Sequence, residues 1–197
     1  MKIIFATNNP HKVEEACQIL GPDYEIVTPS QLGLEGDIPE THPTIAGNSL
    51  QKAQYIWDRF HNPCFADDTG LEVDALGGAP GVYSARYAGE GKNPADNRAK
   101  LLGELEGLPF EKRTAHFTCV VTYIDASGEA TAFEGRCEGH IALEESPGVQ
   151  GFGYDKIFIA QEYNVPMAEM TMEQKSAVSH RGKAMRAFRC HLQKNQG

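Results

Sequence analysis

The stretch that most constrains this chain is Phe65-Ala66-Asp67-Asp68-Thr69-Gly70-Leu71. The apolar residues 63–66 predict a short buried strand, and two consecutive carboxylates followed by a glycine predict its end. Adjacent ionised acids cannot both enter a low-dielectric interior without cations, because the desolvation cost is too high. Two readings follow. The acids face a ligand at a strand end, where α/β proteins place their sites, with a divalent metal between protein and ligand. Alternatively, Asp-Asp-Thr-Gly is a solvated turn that merely ends the strand. The Asp68-Thr69-Gly70 triplet also spells the aspartic-protease motif. That chemistry needs a second copy or an obligate dimer, in an all-β chain, so that two carboxylates share one proton. Here the triplet occurs once, and long helices are predicted.

The rest of the sequence bounds the choice. A chain of 197 residues suits one domain, residues 1–197, with room for two lobes and a core that needs no staples. Apolar content of 41% and charged content of 23% are those of a globular protein. No apolar run approaches the roughly 20 residues of a membrane span. The N-terminal apolar run is too short for a signal peptide and predicts a first strand. The five cysteines are odd in number and form no Cys-x-x-Cys pair, which argues for a reducing, cytoplasmic setting. A net charge of −9 disfavours nucleic acid and anionic membranes as partners. A small polyanion would need a local basic cluster and a divalent metal.

Periodicity supplies the organisation. Residues 2–6 and 24–27 predict strands, and 11–20 a helix with Val13, Ala16, Cys17 and Leu20 inward. Gly21-Pro22 ends that helix. A long polar connection, 28–44, is unusual inside a compact domain and so is a candidate functional loop. Residues 46–60 predict a helix with Leu50, Ala53, Ile56, Trp57 and Phe60 on one face. Residues 77–81 predict a flexible loop and 94–106 a helix. Residues 113–125 and 129–141 alternate about Ala126-Ser127-Gly128 as a hairpin. A glycine-rich connection, 148–154, leads to a strand at 156–160. Thr171-Met172-Glu173-Gln174 is a capping box opening a helix, and a last helix runs from about 179 to 193. Mixed strands and helices give an α/β or α+β fold on a mixed sheet.

Four further segments carry candidate chemistry. Thr7-Asn8-Asn9-Pro10-His11-Lys12 is a strand-to-helix turn, and a helix N-terminus with a nearby lysine suits phosphate. It lacks the glycines and the Lys-Ser/Thr pair of a Walker A loop, and a plain capped turn has the same composition. Glu40 lies in the long loop, and Asn48 and Lys52 share a helix face; alone, each is an ordinary solvated residue. Gly151-Phe152-Gly153-Tyr154-Asp155 offers backbone for close approach and aromatics for stacking, or else a turn with its aromatics packed inward. Residues 175–182 gather Lys175, His180 and Arg181, as a ligand site or a solvated basic face.

The ordered set of these segments resembles the inosine/xanthosine triphosphate pyrophosphatase family over nearly the whole chain. It comprises Thr-x-Asn-x-x-Lys, a loop Glu, Asn-x-x-x-Lys, Ala-Asp-Asp-Thr-Gly-Leu, Gly-Ala-Pro-Gly-Val-Tyr-Ser-Ala-Arg, Gly-Phe-Gly-Tyr-Asp and Lys-Ser-x-x-Ser-His-Arg-Gly. The resemblance implies an elongated mixed β-sheet flanked by helices, two lobes with an active cleft between them, and a homodimer. It implies Mg²⁺-dependent hydrolysis of ITP, dITP and XTP to the monophosphate and pyrophosphate. Carried onto this sequence, it implies that Thr7, Asn8, Asn9, Pro10, His11 and Lys12 hold the triphosphate. Asn48, Lys52 and Thr69 would contact substrate. Glu40, Asp67 and Asp68 would bind metal, with Asp68 also the base. Phe152, Gly153, Tyr154, Asp155, Lys175, His180 and Arg181 would surround nucleoside and base. Asn8 stands where glycine is common and Thr69 where serine is common, and both keep small or hydrogen-bonding character. His180 and Arg181, the latter read as a surface side chain, would donate to the 6-oxo group of hypoxanthine or xanthine, which adenine lacks.

Overall fold

A computed structural model describes residues 1–195. One eight-stranded sheet runs β2-β1-β3-β5-β6-β7-β8, with β4 paired to β3. Its strands are β1 (Lys2–Phe5), β2 (Glu25–Val27), β3 (Cys64–Val73), β4 (Pro80–Gly81), β5 (Thr114–Ile124), β6 (Ala130–Ile141), β7 (Phe158–Ala160) and β8 (Val165–Pro166). The helices are α1 (Pro10–Leu20), α2 (Ile45–Phe60), α3 (Pro94–Glu104), α4 (Met172–Val178) and α5 (His180–Lys194). The sheet is mixed: β1 pairs parallel with β2 and β3, whereas β4 on β3, β7 on β6 and β8 on β7 are antiparallel. No helix among the described residues is long and apolar enough to cross a membrane.

The chain divides into two compact units, and the division falls between Asp68 and Thr69, inside β3. The first unit holds Met1–Asp68, Cys119–Gly135 and the C-terminal segment from Arg181. Here β1 and the start of β3 are apolar at successive positions because both sheet faces are covered. Ile3, Phe5 and Phe65 pack with Ala16 and Leu20 of α1 and Phe188 of α5. Ile4, Ala6, Cys64 and Ala66 pack with Ala53 and Ile56 of α2. The second unit, Thr69–Thr118 and Arg136–His180, has its own core. Leu71, Val73, Ala115 and Phe117 meet Leu101 and Leu105 of α3 and Phe158 of β7 there.

Local signals set the element ends. Asn9 caps α1 by accepting from His11 N, and Pro10 takes the first helical position. The capping box at Thr171 forms as the sequence predicts, with Thr171 Oγ1 accepting from Gln174 N and Gln174 Oε1 accepting from Thr171 N. The hairpin tip is held by Asp125, whose carboxylate accepts from Ser127 N, Ser127 Oγ and Glu129 N. The loop at 77–81 is more ordered than expected: Pro80–Gly81 forms β4 on the edge of β3.

Three expectations need correction. Strand β3 does not stop at the acids but runs through Asp67 and Asp68 to Val73. Leu50 is exposed, and the covered face of α2 carries Asn48, Ser49 and Lys52 beside Ala53 and Ile56. Cys17 is exposed too, and Ile19 takes its place in the core.

Candidate active site

Side chains alternate across a strand, so consecutive acids on β3 point to opposite faces of the sheet. Asp67 has the parity of Phe65 and turns to the face covered by α1 and α5. Its Oδ1 accepts from Lys12 Nζ of α1 at 3.0 Å and its Oδ2 from Arg181 Nε of α5 at 3.0 Å. Arg181 NH1 also donates to Glu15 Oε2 of α1 at 2.7 Å. The Asp67 side chain is 0% exposed and that of Arg181 4%. Burial alone would raise the Asp67 carboxyl, but Lys12, Arg181 and Lys52 outweigh it and hold it well below the usual carboxylate range. Arg181 is therefore an interior residue, not a surface one.

Asp68 has the parity of Ala66 and turns to the α2 face. There Lys52 Nζ lies 3.3 Å from Asp68 Oδ1 and 2.5 Å from Glu40 Oε1. Burial pushes the Asp68 carboxyl upward, with Glu40 and Asp67 adding to the shift and Lys52 and Lys12 opposing it. Burial would lower Lys52, but Asp68, Glu40 and Asp67 together raise it, so it stays an ammonium. The long loop that brings Glu40 here is tied to the first turns of α2. His42 N donates to Asn48 Oδ1 at 2.8 Å and Thr41 N to Gln51 Oε1 at 2.9 Å. Asn48 thus holds loop backbone.

The turn after β1 lies in the same unit. Thr7 is buried, and its Oγ1 accepts from Asn9 N at 3.1 Å. Asn8 Nδ2 donates to Gly36 O at 3.3 Å, joining this turn to the Glu40 loop. His11 and Pro10 are exposed at the start of α1. If all are ionised, the four acids Glu15, Glu40, Asp67 and Asp68 face the three cations Lys12, Lys52 and Arg181. The cluster therefore carries no surplus of positive charge for a polyanion.

A second constellation lies within the second unit, where Thr69, half-buried, follows Asp68 along β3. Asp155 Oδ2 accepts from Phe152 N at 2.8 Å and from the buried Lys175 Nζ at 2.9 Å. Lys175 Nζ is 5.4 Å from the centre of the Phe152 ring. A Cβ at Gly151 would collide with the Asp155 carboxylate and displace it, and the φ of +76° is strained for any side chain. Tyr154 is buried and donates to Ser84 O at 2.8 Å. Gly153 O accepts from Arg98 NH1 at 2.8 Å. His180 stacks on Phe117 with centroids 4.5 Å apart and planes 13° from parallel.

Sequence reasoning missed Glu15, Arg98 and Asn97. Glu15 stands three residues after Lys12 on one helix face, a spacing that marks it as a neighbour. Asn97 accepts from Ala88 N and donates to Ala85 O, and no local pattern announces it.

A metal would find oxygen ligands here. Among the described residues no group of three His, Cys, Asp or Glu side chains is arranged to hold an ion by itself. Glu40 and Asp68, already converging on one cation, form the two-carboxylate oxygen set that suits Mg²⁺, an ion that completes its shell with water and phosphate oxygens.

The comparisons with known proteins place the chain in a family. Residues 3–191 match the profile of the Ham1 family. The chain is 50% identical over 191 residues to the dITP/XTP pyrophosphatase of Porphyromonas gingivalis, covering 97% of each. It is 44% identical over 184 residues to that of Bacillus subtilis, covering 93% of this chain and 92% of the relative. The Ham1 protein of Staphylococcus aureus superposes with a TM-score of 0.89 at 37% identity, over 99% of this chain and 100% of that one. A dITP/XTP pyrophosphatase of Mycobacterium abscessus superposes at 0.77 with 40% identity, over 95% of this chain and 98% of that one. The chain belongs to the Ham1 family.

Proposed function

We propose that this chain is a Mg²⁺-dependent nucleoside-triphosphate pyrophosphatase that hydrolyses ITP, dITP and XTP to the monophosphate and pyrophosphate. The observation that carries the reading is the shared grip of Glu40 and Asp68 on Lys52 in a chain half identical to a dITP/XTP pyrophosphatase. The acid–cation count supports a divalent ion in the site, since three cations are already matched by four acids.

In this reading Lys12, Lys52 and the capped start of α1 bind the triphosphate. Glu40 and Asp68 hold the ion, which when bound offsets phosphate charge and polarises the phosphoanhydride. Asp68 accepts the proton of the attacking water. Asp67 is the counter-charge that fixes Lys12 and Arg181, because both its oxygens already accept from cations. Arg181 Nε and NH1 are spent on Asp67 and Glu15, so a donor from Arg181 to the base would come from NH2. Base selection falls to the second constellation, with Phe152 as stacking surface and Lys175 and His180 as donors that suit a 6-oxo group and clash with the 6-amino group of adenine.

A homodimer and a cytoplasmic setting complete the reading, the latter supported by five cysteines that form no disulfide among the described residues. The test is pyrophosphate release from ITP, dITP, XTP, GTP, ATP and dUTP, with Mg²⁺ and in excess EDTA. Turnover should be fastest on the first three and vanish with chelator. Turnover of ATP equal to that of dITP, or undiminished activity in EDTA, would overturn it.

A further inference from the structure

The turn that carries Phe152 and Asp155 is built on two glycines with positive φ, +76° at Gly151 and +62° at Gly153. Backbone of this kind has wide conformational freedom, so the path of the turn depends on the contacts that hold its peptides, including those from outside it. On one side, Phe152 N donates to Asp155, which is itself held by Lys175. On the other, Phe152 O accepts from Asp155 N at 3.2 Å, and the next carbonyl, that of Gly153, accepts from Arg98 NH1 of α3 at 2.8 Å. Arg98 Nε meanwhile donates to Glu145 Oε1 at 2.8 Å, and the guanidinium side chain is only 11% exposed. A planar fork held at one edge by a carboxylate presents its other edge in a fixed direction. The preceding residue, Asn97, ties α3 to the 84–88 backbone, and Tyr154 reaches the same backbone through Ser84 O. Arg98 therefore acts from a braced helix, not from a mobile surface.

We infer that Arg98 is a positioning residue for nucleoside binding: by holding the Gly153 carbonyl it sets the orientation of Phe152 and Asp155, and Glu145 holds Arg98. The inference rests on the proposed role of those two residues as nucleoside contacts. Arg98 touches no phosphate-binding side chain, so its loss should weaken nucleoside binding and leave the chemical step intact.

The test compares wild type with Arg98→Met, which keeps the stem and removes both donors, and with Arg98→Lys, which keeps one. Readouts are KM and kcat for dITP, the Kd of IMP as a nucleoside-bearing product, and thermal unfolding. Arg98→Met should raise KM and the Kd of IMP together, roughly tenfold, with kcat within about twofold of wild type. Arg98→Lys should recover part of the loss. Unchanged KM and Kd, or a fall in kcat alone, would overturn the inference while leaving the pyrophosphatase reading standing. A wild type that releases no pyrophosphate from dITP would overturn that reading instead, and this inference with it. If Arg98→Met does not fold, Glu145→Gln decides: it loosens the guanidinium without touching the turn, and should raise KM in the same direction by a smaller factor. An unchanged KM in that variant overturns the inference.

Discussion

Arg181 Nε donates to Asp67 Oδ2 across 3.0 Å, joining positions 114 apart in the chain. The bond is one link in a row that runs Glu15, Arg181, Asp67, Lys12, tying the first turn of α5 to β3 and to α1, and β3 to α1 as well. It converts an acid that the interior should reject into part of the interior.

Arg181→Met should accordingly cost stability as well as activity. The change leaves Glu15 without this donor and Asp67 with Lys12 alone. Removing one partner of a buried pair costs about 3–5 kcal/mol. Urea unfolding near neutral pH checks it. A loss below about 1 kcal/mol, the range of exposed pairs, would show that the site rehydrates when opened.

The same pair marks where sequence reading stopped. The helices were legible because their evidence is local: apolar spacing, Asn9 before Pro10, the box at Thr171. The alternation of 113–141 showed a hairpin for the same reason. Strand β3 was cut short at Asp67 because its cations lie at positions 12 and 181, and nothing near residue 67 announces them. Arg181 has the pattern of a surface residue for the converse reason: the acids that hold it lie at positions 15 and 67. The candidate residues were nameable from their order along the chain, but their division between sheet faces was not. It follows from parity on a strand that the sequence seemed to end. Arg98 had no signal at all, since its partners are a backbone carbonyl and a loop glutamate, Glu145.

The hairpin tip gives a pH prediction. The Ser127 hydroxyl, and then the N–H groups of Glu129 and Ser127, hold the Asp125 carboxyl below its ordinary value against a small opposing effect of burial. A depressed folded-state value means the stabilisation is complete above the unfolded value, about 3.9, and is lost as pH falls through the folded one. Asp125→Asn should therefore lower Tm near neutral pH. The gap from wild type should shrink as pH falls from the unfolded value, about 3.9, through the lower folded one. A gap that persists there would mean that the turn depends on shape and not on charge.

Thiol accessibility tests the packing of both units. Cys17 and Cys190 are exposed, whereas Cys64, Cys119 and Cys137 are buried. Burial, with Asp58 adding to it, pushes the Cys64 thiol up to about 12. Iodoacetamide should modify Cys17 and Cys190 in the native protein and all five cysteines in urea, as read by intact mass and peptide mapping. Native labelling of Cys64 would contradict the packing of α2 on β3.

Asp68→Asn separates catalysis from architecture. The substitution keeps size and one acceptor oxygen for Lys52 and removes the charge. Burial disfavours that charge while the buried Lys52 favours it, and Glu40 stays on Lys52, so the change in stability near neutral pH should be smaller than the loss expected at Arg181. Turnover should respond more strongly. An acid that both holds the ion and takes the proton of water should lower kcat by about 10²–10⁴-fold when neutralised. Nucleotide binding should survive better, because Lys12 and the Phe152–Lys175 constellation are untouched. If Asp68 only balanced Lys52, Glu40 would remain on that ammonium and turnover would stay near normal. A kcat within a few-fold of wild type at saturating Mg²⁺ would thus assign Asp68 to charge balance alone and leave the base to be found elsewhere.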